Sequence, residues 1–144
     1  MPLAPPVGVV IANHNNGAFV EKAIESVACQ TVRDLQVVVV DDASTDHSDE
    51  VIRRCLARLG DRRFRYVKLG TNLGQAGALR RGMAELDTPF VCFLDSDDAC
   101  YDDFVARHLA GGAREGTAAG TRARSPGRRA RAPWPARSVV MMNE

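Results

Sequence analysis

Three short runs of apolar residues, many of them β-branched, constrain the fold more than any other feature of the sequence. They are Val7–Ala12, Leu35–Val40 and Phe90–Leu94. None of them alternates apolar with polar residues, so each is predicted to be a strand buried on both faces, as in a parallel sheet covered by helices. Each run ends at a polar cluster, and ligands bind beyond the carboxyl ends of the strands in such sheets.

The intervals between these strands carry apolar residues at helical spacing, and one further strand is predicted. Strands that alternate with helices predict an α/β fold, an open and mostly parallel sheet with flanking helices. The predicted helices are 18–30, 48–59 and 75–86, and the additional strand is 64–69.

The strongest chemical signal is an acidic cluster, Asp95, Asp97 and Asp98, directly after the strand Phe90–Leu94. Mutual repulsion raises the pKa of crowded carboxylates unless a cation is present. Carboxylate oxygens suit Mg²⁺ or Mn²⁺, which often bridge protein carboxylates to the phosphates of a substrate. In isolation, the cluster fits a solvated acidic turn or a helix cap equally well.

Two further segments offer ligand contacts. Asp42 ends the second strand, where a carboxylate can accept a base N–H or bind ribose hydroxyls; a loop capped by Ser44 or Asp46 is the structural alternative. The stretch Gly70–Gly82 is rich in glycine and alanine, which allows close approach of the backbone to a ligand or of a helix to the sheet. Its spacing fits neither a P-loop nor a dinucleotide fingerprint.

Five motifs together resemble the N-terminal part of family 2 glycosyltransferases over residues 7–109. They are Val-Val-Ile-x-x-x-Asn from Val9, Ala-x-x-Ser-Val-x-x-Gln-Thr from Ala23, Val-Val-Asp-Asp-x-Ser-Thr-Asp from Val39, Asn-x-Gly-x-x-x-Ala from Asn72 and Phe-Leu-Asp-x-Asp-Asp from Phe93. The resemblance implies a Rossmann-like GT-A fold, a nucleotide-diphospho-sugar donor and a Mn²⁺ or Mg²⁺ cofactor. It also implies sugar transfer to an acceptor hydroxyl with inversion, the acceptor being a glycan, a lipid carrier or a protein.

The resemblance further implies roles for individual residues. Asp42 would hold the base, Asp95 the ribose side and Asp97 the metal that bridges the diphosphate, with Asp98 as a further participant. The residues expected to bind the nucleotide-sugar are Ala12, Asn13, His14, Asp42, Asn72, Gly74 and Asp95.

The sequence departs from the family pattern in three places. Ala12-Asn13-His14 replaces the usual Pro-Thr-Tyr, so His14 either stacks on the base or is an ordinary loop histidine. Leu79-Arg80 stands where many members have Arg-Asn. Nothing after Ala110 resembles the acceptor-binding half that supplies the catalytic base, so no catalytic residue is assigned and we expect a truncated chain without activity of its own.

Other function classes are weighed against this interpretation. A nucleotidyltransferase should carry a basic, glycine-rich loop after its first strand, and residues 13–17 include neither Lys nor Arg. A receiver-like signalling domain should have its acidic pair after the first strand, whereas here the acids follow the second and fourth strands. A non-catalytic remnant that binds nucleotide-sugar, or nothing, remains a third alternative.

Charge and composition bound the partners and the compartment. A net charge of +1 gives no field that attracts nucleic acid or an anionic membrane. No apolar run is long enough to span a bilayer. The four cysteines lack Cys-x-x-Cys spacing, which favours reduced thiols and a cytoplasmic, soluble protein.

Composition changes sharply near Ala110, where we place the boundary between a domain of residues 1–110 and a tail of residues 111–144. The tail consists largely of Arg, Ala, Gly, Pro and Ser, which cannot bury enough apolar surface to offset the entropy of ordering, so disorder is predicted. A sequence of this composition arises when a GC-rich gene is read in the wrong frame, and we hypothesise a frameshift. A solvated basic tail is the alternative.

Overall fold

The computed structural model describes residues 7–112 and 138–142. Strands and helices alternate through the longer segment, and the shorter one is a strand. The elements are β1 (Val7–Asn13), α1 (Val20–Ala28), β2 (Leu35–Asp41), α2 (Ser48–Leu59), β3 (Phe64–Lys68), α3 (Gly74–Met83), β4 (Phe90–Asp95), α4 (Phe104–Gly112) and β5 (Ser138–Met142).

The five strands form one sheet in the order β3-β2-β1-β4-β5, and every pair of neighbours is parallel. In the register, Asn13 lies beside Asp41 and Ala12 lies beside Asp95. The predicted open, parallel α/β sheet with flanking helices is confirmed. The order reverses between β1 and β4, and such a reversal opens a crevice beyond the carboxyl ends of the strands.

Alternate residues of the central strands face two separate cores. Val9, Ile11 and Val39 pack with α1 and α2 on one face, whereas Val10 and Val40 pack with α3 on the other. Successive side chains of a strand point to opposite faces, so strands without polar residues must be covered on both sides. The continuous apolar runs of the sequence therefore have a direct structural cause.

The structure differs from the sequence-based prediction at the tail. The predicted boundary at Ala110 falls inside α4, and Ser138–Met142 forms β5 beside β4, so the prediction of disorder does not hold for residues 111–112 and 138–142. The segment Ser-Val-Val-Met-Met is a short β-prone run that satisfies backbone groups at the edge of β4, which an argument from the average composition of the tail overlooks. The predicted disorder of residues 113–137 and 143–144 lies outside the described residues. Among the described residues, no helix is long and apolar enough to cross a membrane.

Candidate functional site

A cavity of about 370 Å³ opens at the carboxyl ends of β1, β2 and β4. All eight residues that the sequence analysis selected line it, although their individual roles stay predictions. The lining residues are Ala12, Asn13, His14, Asn16, Asp42, Asn72, Gly74, Gln75, Ala78, Asp95, Ser96 and Asp97. The parallel arrangement brings them together because every strand of the sheet presents the same end at this edge.

The two adjacent acids at the end of β2 have different surroundings. Asp41 is fully buried, and its carboxylate accepts hydrogen bonds from the Asn13 amide (2.8 Å) and from the Ser44 hydroxyl (2.6 Å) and backbone N–H (3.2 Å). Asp42 is also buried, at 3% exposure, but it lines the cavity, and one of its carboxylate oxygens accepts the backbone N–H of Leu73 at 2.7 Å. Asp41 therefore organises the loop, whereas Asp42 is placed to meet a ligand.

Asn13 occupies the last position of β1 and is almost fully buried. Its amide nitrogen donates to Asp41, and its backbone oxygen accepts the N–H of Asp42 at 2.8 Å. Its side-chain oxygen has no hydrogen-bond partner among the described residues and is shielded from solvent. Asn13 thus joins β1 to the end of β2, and it is a buried part of the cavity lining.

His14 is held at the cavity by its ring nitrogens. Nδ1 lies 2.7 Å from the backbone oxygen of Asp42, and since a carbonyl oxygen only accepts, Nδ1 carries the proton. Nε2 then accepts from the Asn72 amide at 3.4 Å. These contacts tie the loop after β1 to the loops that precede α2 and α3, so the ring bridges three sides of the cavity.

The loops after β1 and β2 are fastened to each other by side chains of the Ser-Thr-Asp motif. The Ser44 hydroxyl accepts the backbone N–H of Asn15 at 2.9 Å, and the Asn15 side-chain oxygen accepts the N–H of Thr45 at 2.8 Å. Asp46 accepts the N–H of Gly17 and that of Ser48, both at 2.9 Å. The sequence left open a helix cap at Ser44 or Asp46, whereas the structure has His47 at the N-cap position of α2. Ser44 and Asp46 hold the two loops together instead.

The three acids at the end of β4 converge. One carboxylate oxygen from each of Asp95, Asp97 and Asp98 lies within 4.8 Å of the others, and Asp97 is the exposed member. Burial raises the pKa of the Asp95 carboxyl, the amide of Gln75 opposes that rise, and the charges of Asp97 and Asp98 add to it. The Gln75 amide donates to the Asp95 carboxylate at 2.5 Å.

This arrangement fits a hard divalent cation. Mn²⁺ and Mg²⁺ take oxygen ligands, and the cluster supplies carboxylate oxygens close enough to share one ion. The cluster also borders the cavity, with Asp95 and Asp97 in its lining, and β1 separates β4 from β2, at whose end Asp42 lies. A cation held there would face whatever occupies the cavity.

Sequence reasoning missed four residues of the lining, Asn16, Gln75, Ala78 and Ser96. The Asn16 amide donates to the Ser96 hydroxyl at 3.0 Å, and the Ser96 N–H donates to the backbone oxygen of Ala12 at 3.1 Å. These bonds connect the loop after β1 with the acidic turn. Ser96 is the middle residue of the Asp-x-Asp motif. Its position between two predicted site residues is the signal that could have identified it from the sequence.

Comparison with known proteins is consistent across sequence and structure. Residues 8–142 match the sequence profile of the family described as Glycosyl transferase family 2. The chain is 38% identical over 92 residues to a glycosyltransferase of Nostoc sp., an alignment that covers 64% of this chain and 28% of that protein.

Two solved structures extend the comparison. The mannosyltransferase PcManGT from Pyrobaculum calidifontis, in complex with GDP-Man and Mn²⁺, aligns with a TM-score of 0.68 and 28% identity over 74% of this chain and 32% of that chain. Residues 1–349 of TarS from S. aureus, in complex with UDP, align with a TM-score of 0.63 and 26% identity over 72% of this chain and 31% of that chain.

The chain thus spans less than a third of the length of each of these three proteins. The GT-A fold expected from the resemblance is confirmed by the two structures. The profile match covers nearly the whole chain and includes every strand that borders the cavity. The chain therefore belongs to glycosyl transferase family 2.

Proposed function

We propose that this chain forms the donor-binding part of a glycosyltransferase that transfers a sugar from a nucleotide-diphospho-sugar to an acceptor hydroxyl. The observation that carries the proposal is the meeting of Asp42 and the Asp95–Asp98 cluster at one cavity. The proposed donor has a base with hydrogen-bond donors at one end and a diphosphate at the other. Carboxylates alone would repel the diphosphate, whereas a carboxylate-bound cation attracts it.

In this proposal, Asp42, Asn13 and His14 bind the nucleoside, Asn72 and Gly74 complete its pocket, and Asp95 lies on the ribose side. Asp97 holds Mn²⁺ or Mg²⁺, with Asp98 beside it. When bound, the cation neutralises the charge that builds up on the diphosphate as the glycosidic bond breaks. The UDP and the GDP-Man with Mn²⁺ in the two related structures support this ligand class.

The acceptor and the catalytic base are assigned to no residue of this chain. Inversion by a single displacement is the stereochemistry that the family implies, and it forms part of the proposal. The nucleotidyltransferase and receiver-like alternatives lose support from the family match. A remnant without ligand remains, and it is one outcome of the experiment below.

Titration calorimetry of the full chain with UDP and GDP, each with and without Mn²⁺, tests the proposal. Metal-dependent binding of at least one nucleotide is expected, and Asp97→Ala should abolish that dependence with the fold intact. Asp34→Ala is a matched control because Asp34 is an exposed acid remote from the cavity lining. Binding that is equal with and without Mn²⁺, or unchanged in Asp97→Ala, would remove Asp97 as the metal ligand. No binding at all would leave the remnant interpretation.

A further inference from the structure

One of the family motifs has no part in the cavity. The motif Ala-x-x-Ser-Val-x-x-Gln-Thr spans Ala23–Thr31, from the middle of α1 to the turn that follows it. None of its residues lines the cavity. Its polar members, Ser26, Gln30 and Thr31, instead contact the chain directly after the acidic turn.

Gln30 is the centre of these contacts. Its side chain is almost fully buried, and its amide nitrogen donates to the backbone oxygens of Tyr101 (2.7 Å) and Ser26 (3.1 Å). The same nitrogen lies 3.1 Å from the sulfur of Cys100. Its side-chain oxygen accepts the backbone N–H of Val105 at 3.0 Å. One side chain thus fixes both ends of the segment from Cys100 to Val105.

Two neighbours of Gln30 reinforce the same connection. The Ser26 hydroxyl accepts the backbone N–H of Cys100 at 3.2 Å, and the N–H of Thr31 donates to the backbone oxygen of Asp102 at 2.7 Å. The residues joined are more than 70 positions apart in the sequence. Segment 100–105 is therefore attached to the C-terminal end of α1 by side-chain and backbone bonds together.

This attachment lies next to the acidic cluster. Asp98 precedes Cys100 by two residues, and on the other side the N–H of Ser96 is bonded to the backbone oxygen of Ala12. The acidic turn is thus held at its entry by β1 and at its exit by α1. The turn also closes on itself, because the Asp98 N–H donates to the backbone oxygen of Asp95 at 3.0 Å. Three like charges repel one another, and anchors at both ends oppose their separation.

We propose that Gln30 is a positioning residue for the cation site, because it fixes the chain at the exit of the Asp95–Asp98 turn. This inference rests on the proposed function, since it requires the acidic cluster to bind a divalent cation. Groups that orient metal ligands from outside the coordination sphere contribute substantially to metal affinity. The carboxylates would then already converge in the ion-free protein. Binding of the cation would cost less conformational entropy as a result.

The test measures binding of Mn²⁺ alone to the full chain by the loss of the free-ion EPR signal. Gln30→Met preserves the length of the side chain and removes its hydrogen bonds; the dissociation constant for Mn²⁺ should rise about tenfold or more. Ser26→Ala removes the hydroxyl that accepts from the Cys100 N–H and thiol and donates to the Ala23 backbone oxygen, and it leaves the Gln30 bonds in place. It should give a smaller rise in the same direction. Hydrogen exchange at the Val105 amide should accelerate in Gln30→Met, which checks the anchor itself.

Arg63→Met is the matched control. The Arg63 side chain is partly buried and donates to the backbone oxygens of Ala28 (3.2 Å) and Arg33 (3.0 Å) near the end of α1 and to the Asp61 carboxylate, but forms no hydrogen bond to segment 100–105 among the described residues. Its loss should lower stability and leave Mn²⁺ affinity within about twofold of wild type. Equal weakening by Arg63→Met, or unchanged affinity in both Gln30→Met and Ser26→Ala, would overturn the inference alone. Failure of the wild-type chain to bind Mn²⁺ would overturn the proposed function and this inference with it.

Discussion

At the scale of single residues, the consecutive acids Asp41 and Asp42 have different roles although their side chains are chemically identical. Asp41 ends β2 beside Asn13, and its carboxylate is occupied by Asn13 and Ser44. Asp42 lies one position further along, faces the cavity and supports the Leu73 backbone. Successive residues of an extended chain point to opposite sides, so the pair divides between the interior of the loop and the site.

This division predicts opposite effects of two isosteric substitutions. Asp42→Asn retains an oxygen for the Leu73 N–H but loses the charge, so we expect nucleotide binding to weaken by about 1–3 kcal/mol with little loss of stability. Asp41→Asn places an amide against the donors of Asn13 and Ser44, so the free energy of unfolding should fall by about 1–3 kcal/mol instead.

Calorimetry with the nucleotide and urea denaturation measure the two effects on the same preparations. If Asp41→Asn weakens nucleotide binding while Asp42→Asn leaves it unchanged, the assignment of the base-binding carboxylate is one residue out of register. Asp34→Ala again serves as the control for removal of an exposed acid.

At the scale of elements, α3 lies unusually close to the sheet at Gly82. A Cβ atom added at Gly82 would lie 2.5 Å from Cγ1 of Val10 and 3.0 Å from Cγ2 of Val40, both buried side chains of central strands. The helix therefore requires a residue without a side chain at this contact. The glycine-rich stretch serves helix packing here, which was one of the two interpretations left open by the sequence.

Gly82→Ala should consequently destabilise the protein even though alanine is the better helix former by about 1 kcal/mol. Overpacking of a filled core typically costs about 1–3 kcal/mol, and we expect a loss of this size in urea denaturation. Gly70→Ala is the control, since a Cβ atom at Gly70 meets nothing within 4 Å. A gain in stability for Gly82→Ala would mean that α3 moves away from the sheet without penalty.

The entry to β3 is fixed by an ion pair whose effect should depend on pH. Hydrogen bonding to the Arg63 guanidinium lowers the pKa of the Asp61 carboxyl from its ordinary 3.8, against the opposing effect of burial. The two side chains are 16% and 18% exposed, for Arg63 and Asp61 respectively. Because the folded state lowers this pKa, the pair stabilises the fold above pH 3.8, and that contribution is lost as the pH falls through the lower folded value.

We therefore expect Asp61→Asn to lower the free energy of unfolding at neutral pH and to converge with wild type as the pH falls below 3.8. Denaturation with urea at a series of pH values gives the comparison directly. Asp34→Ala is the control for removal of an acid, because its exposed carboxyl has no ion pair among the described residues. A constant difference between Asp61→Asn and wild type at every pH would contradict the argument.

At the scale of the whole molecule, the sheet order decides where a ligand can bind. The reversal between β1 and β4 places the loops after β1, β2 and β4 around one opening, with α3 closing the side at Gly74 and Gln75. Residues 83 positions apart, such as Ala12 and Asp95, become neighbours only through this topology. The site is a property of the assembled sheet edge.

The origin of the tail, residues 111–144, stays a hypothesis at this scale. The Arg/Ala/Gly/Pro composition favours a frameshift, whereas Ser138–Met142 pairs with β4 as part of the sheet. Translation of the two other reading frames downstream of the Leu109 codon separates the possibilities. If neither frame continues with strands, amphipathic helices and an acid at a strand end, the frameshift hypothesis fails.

The sequence by itself determined the α/β class, the position of most elements and eight of the twelve residues that line the cavity. These depend on local periodicity and on motif spacing, and both can be read directly from the order of residues in the sequence. Only the tertiary structure decided that Gln30 anchors segment 100–105, that Asn16 reaches Ser96, and that β5 joins β4. Each of these is a hydrogen-bonded partnership between distant segments, and a hydrophobic pattern specifies that a group is buried without specifying the partner that satisfies it.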